Sequence, residues 1–154
     1  MSALRSTIRS LACAALAAGS LAAAPLSAND IAQIKTMSGT VMVERGSQRI
    51  LASAGMKLQQ ADIVRTGIDG SVGITFVDNT MMSAGPNSSL ALDRFAFNST
   101  THEGKLETSL RSGTLSVISG KIAKQSPEAM KVRTPAAILG ARGTEFFVQV
   151  VPLN

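Results

Sequence analysis

Apolar and polar residues alternate with a period of two along several short runs of the chain. Val72, Ile74 and Phe76 fall on one side of Ser71–Val77, and Leu106, Thr108 and Leu110 do the same in Lys105–Leu110. Phe146, Val148 and Val150 repeat the pattern near the end, and Leu90 and Leu92 mark a further short run. A period of two places alternate side chains on opposite faces of a strand. The runs are separated by turn formers: Asp69-Gly70, Asp78-Asn79, Gly85-Pro86-Asn87, Ser112-Gly113 and Ser119-Gly120. Beyond residue 28 no apolar stripe of helical period exceeds two turns, and Ala52–Ala54 and Ala136–Leu139 are the places where a single turn of helix fits. The pattern predicts an all-β domain of about ten short strands, in a twisted β-sandwich or an irregular, solenoid-like stack with little helix. Ser38-Gly39-Thr40-Val41, Ser112-Gly113-Thr114-Leu115 and Arg142-Gly143-Thr144-Glu145 open strands in the same way. Their unequal spacing describes a recurring turn-to-strand device and no fixed-period repeat.

The first 28 residues are of another kind. Arg5 and Arg9 precede an apolar run from Leu11 to Ala24, Pro25 breaks it, and Leu26-Ser27-Ala28 supplies a small residue for cleavage. Fourteen residues of helix span about 21 Å, short of the ~30 Å hydrocarbon core. The segment is read as a secretory signal peptide cut after Ala28, leaving residues 29–154 as one β domain, periplasmic or secreted, with no stable membrane span. Removing it changes the chemistry available. Cys13 is the only cysteine among the 154 residues, so the mature chain has no thiol for a disulfide, a metal site or a nucleophile. The charge falls from +5 to +3, because both lost charges are arginines.

With no Trp and no Tyr the chain lacks the stacking surfaces of single-strand nucleic-acid binders, and together with export this excludes nucleic acid as a partner. His102, the only histidine, lies beside Glu103 in a polar loop and has no second histidine to complete a common zinc site, so it reads as a solvated loop residue. Asp62, Asp69, Asp78 and Asp93 lack the dense spacing of a calcium loop, and Asp69 and Asp78 read as turn residues. No nucleophile elbow or phosphate-binding loop occurs. The expectation is a protein without catalytic residues, metal or cofactor. Lys121, Lys124, Lys131 and Arg133 cluster around the loop from Gly120 to Met130; they could meet anionic head groups, but read as charged, solvated strand edges. Met81, Met82 and Met130 read as core filling.

One stretch is more specific. Lys131-Val132-Arg133-Thr134-Pro135-Ala136-Ala137-Ile138-Leu139-Gly140-Ala141-Arg142-Gly143-Thr144-Glu145-Phe146 resembles the C-terminal signature of the FecR domain. Gly39-Thr40-Val41 with Arg45-Gly46 resembles its opening strand and turn, and Gly55, Asp62, Thr66-Gly67 and Gly70 its middle. Phe76-Val77-Asp78-Asn79-Thr80, Gly85-Pro86-Asn87-Ser88 and Leu110-Arg111-Ser112-Gly113 follow in order, with Asn79 where glycine is commoner. The resemblance implies a periplasmic signalling or interaction module that binds an envelope protein. In the best-known setting such a domain follows a cytoplasmic helical segment and a membrane helix and acts on a sigma factor. The sequence is read as carrying neither, so the expectation is a free-standing exported protein without anti-sigma activity.

The signature residues Thr134, Pro135, Gly140, Arg142, Gly143, Thr144 and Phe146 are expected to be structural. Proline fixes φ, glycine opens left-handed backbone, and the five donors of Arg142 suit carbonyls at strand ends. On this reading Arg142→Ala destabilises the fold before it abolishes any contact with a partner. Two rival functions stand beside the interaction module: an envelope protein for an anionic small ligand or glycan, and a structural protein that associates with its own copies through exposed strand edges.

Overall fold

The computed structural model describes residues 30–141 and 143–151. The leading segment, its cleavage site and Arg142 lie outside them. Strand accounts for 60% of the structure and helix for 7%, in a curled, largely antiparallel sheet. Twelve strands are described: β1 Asp30–Ser38, β2 Val41–Arg45, β3 Gln48–Leu51, β4 Lys57–Gln59, β5 Ile63–Thr66, β6 Ser71–Phe76, β7 Met81–Ala84, β8 Ser89–Phe97, β9 Gly104–Ile118, β10 Met130–Arg133, β11 Ile138–Gly140 and β12 Glu145–Val150. The helical turns lie elsewhere than at the alanine runs. A five-residue helix, α1 (Lys121–Gln125), and a 3₁₀ turn (Pro127–Ala129) occupy the segment read from sequence as a loop, while Ile138–Gly140 is strand.

The 15-residue β9 organises the sheet. Its first half pairs with β8 and, in parallel, with β10; its second half pairs with β7 and β12. One limb, B, therefore runs β3-β2-β5-β8-β9-β10-β11, and the other, A, runs β4-β1-β6-β7-β9-β12. The two limbs enclose one core. Val72, Ile74, Phe76, Met82, Leu115 and Val117 point into it from limb A, and Val41, Val43, Val64, Leu90, Leu106, Leu110, Met130 and Val132 from limb B. Phe76 and Phe95 stack across the seam with ring centroids 5.6 Å apart. The alternations read from sequence all appear as inward faces, fully buried in β6, β8 and β9 and in β12 with Val148 buried and Phe146 and Val150 half-buried; Met82 and Met130 are core, whereas Met81 faces out.

Ser112-Gly113 is not a strand end. Gly113 sits inside β9 with φ +86°, a left-handed conformation that L side chains rarely adopt. Before it the even-numbered residues Leu106, Thr108 and Leu110 are buried, and after it the odd-numbered Leu115 and Val117. This one-residue slip lets a single strand face the core from both limbs. The Ser88 hydroxyl secures the kink, accepting from the Thr114 N–H (3.0 Å) and donating to the Thr114 carbonyl (3.2 Å).

Asp78 is also more than a turn residue. It is fully buried, and its carboxylate accepts from the Thr80 N–H and hydroxyl (3.1 and 2.7 Å) and from the Ile122 N–H (3.3 Å), tying the β6–β7 turn to α1.

Candidate functional site

The signature residues divide between two places. Thr134 and Pro135 form the β10–β11 turn. The Thr134 N–H donates to the Ala137 carbonyl (2.8 Å), and its hydroxyl accepts from the Ala137 N–H (3.0 Å) and donates to the same carbonyl (3.1 Å). Pro135, with no donor of its own and a fixed φ, stands exposed at the tip. The turn forms one wall of a groove of about 600 Å³. Ala136 extends that wall, Arg111 enters from β9, and Gln149, Val150 and Val151 close the far side at the end of β12. An adjoining depression of about 240 Å³ shares Arg111, Thr134 and Pro135 and adds Arg133. Arg111 is exposed and makes no ion pair among the described residues. The groove thus offers apolar walls and one guanidinium, a donor set suited to an extended segment carrying a carboxylate.

Gly143, Thr144 and Phe146 act on the other flank of β12. The Thr144 carbonyl accepts from the Ser119 N–H (2.8 Å), and the Gly143 carbonyl from the Ser119 hydroxyl (3.2 Å). Gly143 has φ +96°, and Phe146 is half-buried against the core. These contacts dock β12 onto β9. Gly140 lies apart from both places, lining a depression of about 470 Å³ with Lys131 and Ile138. Nothing lies within 4 Å of where its Cβ would be, so packing does not explain a glycine there.

The outward face of limb B carries most of the charge. Strand register places Arg49, Arg65, Arg94, Lys105, Lys131 and Arg133 on it, with Glu44 and Glu107; Arg111 and Asp93, at the two irregularities of the β8–β9 pairing, are exposed beside them, Asp93 accepting from the Ser109 hydroxyl. Glu44 pairs with Arg65 (2.9 Å) and Arg49 (3.4 Å). Glu107 lies between Lys105 (3.3 Å) and Arg133 (3.6 Å). Burial pushes the Glu107 carboxyl up, but its hydrogen bond to Lys105 and the charges of Lys105, Arg133 and Arg94 outweigh this and hold it below its ordinary 4.5. At the end of β2, Arg45 grips the buried Asp62 with two bonds (2.9 and 2.7 Å). That carboxylate holds the Arg45 guanidinium above its ordinary range.

The basic cluster read from sequence is therefore divided. Lys121 and Lys124 ride on α1, while Lys131 and Arg133 join cations from β8 and β9. Arg111 was missed as a groove residue; the cue was its place in the alternation 105, 107, 109, 111 opposite the buried face. His102 is half-buried, with φ +61°, and its ring stacks on Phe97 at 6.2 Å, so it packs more closely than a solvated loop residue. Among the described residues no three His, Cys, Asp or Glu side chains gather where they could hold a metal, and no helix is long and apolar enough to cross a membrane.

A family model described as FecR protein matches residues 62–152. The match runs from the start of β5 to just beyond β12 and includes the whole groove; the resemblance in β1 to β4 lies outside it. Searches of curated proteins and of solved structures gave no match.

Proposed function

Because the chain belongs to the FecR protein family, whose members are non-enzymatic signalling proteins, we propose that it is an exported interaction module of the cell envelope. The groove between the Thr134–Ala137 turn and the end of β12 receives an extended segment of a partner protein. One observation carries this reading: the signature turn, an arginine without an ion pair among the described residues, and the exposed apolar end of β12 all border one groove. Val151 is 69% exposed there, a large apolar side chain left in water beside a guanidinium. The basic and apolar leading segment supports export, and the periplasm is the compartment such a family member would occupy.

A photo-crosslinking residue at Ala136, used in intact cells and followed by mass spectrometry, tests the proposal. The expected product is one envelope protein joined to this chain, lost when Arg111→Glu reverses the charge. Capture of nothing above background, or capture unaffected by Arg111→Glu, overturns it. The same arginine favours a second reading, a small organic anion as ligand. A rise in melting temperature with such anions, abolished by Arg111→Ala and unaccompanied by a protein crosslink, selects that reading.

A further inference from the structure

The sheet ends on four strands among the described residues, and three of them are poor templates for pairing. β4 and β11 have three residues each, and β3 has four with Arg49 exposed on it. Short or charged edges discourage association. β12 differs. It has six residues, Glu-Phe-Phe-Val-Gln-Val, pairs only with β9 among the described residues, and carries one charge, at its first position.

The Ser119 N–H donates to the Thr144 carbonyl, and Thr144 stands opposite Ser119 in the register that sets Glu145 against Ile118. Hydrogen-bonding residues alternate along an antiparallel strand. Phe146, Val148 and Val150 therefore bond toward β9, and Glu145, Phe147 and Gln149 present their N–H and C=O groups at the free edge. The side chains of these three residues also share the outward face of limb A, where Phe147 is 65% exposed.

We propose that this edge pairs with the same edge of a second copy, antiparallel about a two-fold axis at Phe147. Only that register joins all the free groups: Phe147 bonds Phe147 of the other copy, and each Glu145 bonds the other Gln149. Six main-chain hydrogen bonds form, none facing a residue that points the wrong way. Shifting the register by two residues in either direction leaves one outward residue of each copy without a partner. The side-chain pairing is also self-consistent. The two Phe147 rings meet at the axis, each carboxylate faces an amide, and no like charges oppose. Ile118 and Met81, exposed on neighbouring strands of the same face in register with Glu145, add apolar surface diagonal to Phe147 on each side of the seam. The result is a continuous sheet running from limb A of one copy into limb A of the other, and it does not depend on the groove having an occupant.

Cysteine crosslinking of the full chain, purified as cells process it and in a Cys13→Ser background, tests the register. Directly hydrogen-bonded antiparallel residues have Cα atoms about 5.5 Å apart, within disulfide range. Phe147→Cys should give a disulfide-linked dimer on mild oxidation, while Ser83→Cys on the same face should not. Glu145→Cys and Gln149→Cys should crosslink when mixed, and neither should crosslink with itself. Sedimentation should show a dimer in a dilution series, lost with Phe147→Lys or with Gln149→Pro, which removes an N–H that β9 does not use. If the lysine or proline variant does not fold, the cysteine pattern decides alone. A monomer at every concentration, equal crosslinking from Ser83→Cys and Phe147→Cys, or a dimer kept by both folded variants overturns the proposal. So does crosslinking of Phe147→Cys to a different protein only.

Discussion

The two halves of β9 bury the same kind of side chain and expose opposite kinds. Before Gly113 the strand packs Leu106 and Leu110 inward and turns Lys105, Glu107, Ser109 and Arg111 outward; after it, Leu115 and Val117 go in and Thr114, Ser116 and Ile118 face out. The contrast extends to the strands that flank each half. Every ion pair among the described residues lies on limb B. Across β6, β7 and the second half of β9, limb A exposes Ser71, Thr75, Met81, Ser83, Thr114, Ser116 and Ile118, without a charge. The apolar inward residues specify the fold in both limbs, so the outward difference is free to serve recognition. A charged face tolerates partners reached through solvent, and a neutral face ending in an open edge tolerates a neighbouring strand.

The most damaging change strikes the point where the halves meet. A Cβ at Gly113 would overlap the Ser88 side chain and backbone, and φ +86° strains any L residue. Gly113→Ala should cost about 3 kcal/mol, combining left-handed strain with overpacking. In a domain of this size that lowers the melting temperature by about 10 °C. Thermal or urea unfolding would measure it, and a loss below ~1 kcal/mol would show that the register slip tolerates a side chain. Next comes the pair that limb A has no equivalent of. Asp62→Asn leaves Arg45 without its carboxylate and should cost about 2 kcal/mol, less than a fully buried pair because Arg45 is 34% exposed to water.

Smaller still is the response to pH, and it should arise on one limb only. Glu107 is held below its ordinary range when folded, so its contribution is present above its unfolded value near 4.5 and is lost as the pH falls through the folded value. Glu107→Gln should therefore be less stable than the parent at neutral pH, and the difference should shrink as the pH falls below 4.5 and through the folded value. A constant difference between the two proteins across that range would show that the Lys105–Glu107–Arg133 cluster is electrostatically inert.

The inward faces of both limbs were legible in the sequence, and the misses share a cause. Alternation such as Val72, Ile74 and Phe76 reads correctly because one period spans the whole strand. Across β9 the period breaks at Gly113, and a glycine beside serine has the local chemistry of a turn, so one 15-residue strand reads as two elements. Bonds from distant parts of the sequence hold the chain extended there: the Ser88 hydroxyl, 26 residues away from Thr114 in sequence, and the Gly85 N–H, which donates to the Thr114 carbonyl. The groove was half legible. Thr134-Pro135 announces a turn, but Arg111 reaches it only because β10 returns parallel to β9, a pairing that no local pattern encodes. Asp78 shows the same limit. Its place after a strand signals a turn, and its burial is decided by α1 packing above it.

The smallest expected effect separates surface from scaffold. Ser83 stands exposed at the centre of limb A's neutral face, opposite Ser116 of β9 and Gly73 of β6. Its side chain makes no hydrogen bond among the described residues, so replacement removes no bond, and lysine adds a charge that water can solvate. Ser83→Lys should change the stability by no more than about 0.5 kcal/mol. Urea unfolding of parent and variant measures the difference directly. A loss above ~1 kcal/mol would mean that the neutral face is needed to hold limb A together, and the comparison between the limbs would reduce to packing. A negligible change would leave the absence of charge without a folding role. It would then belong to whatever approaches that face, and the copy seated at β12 is the nearest candidate.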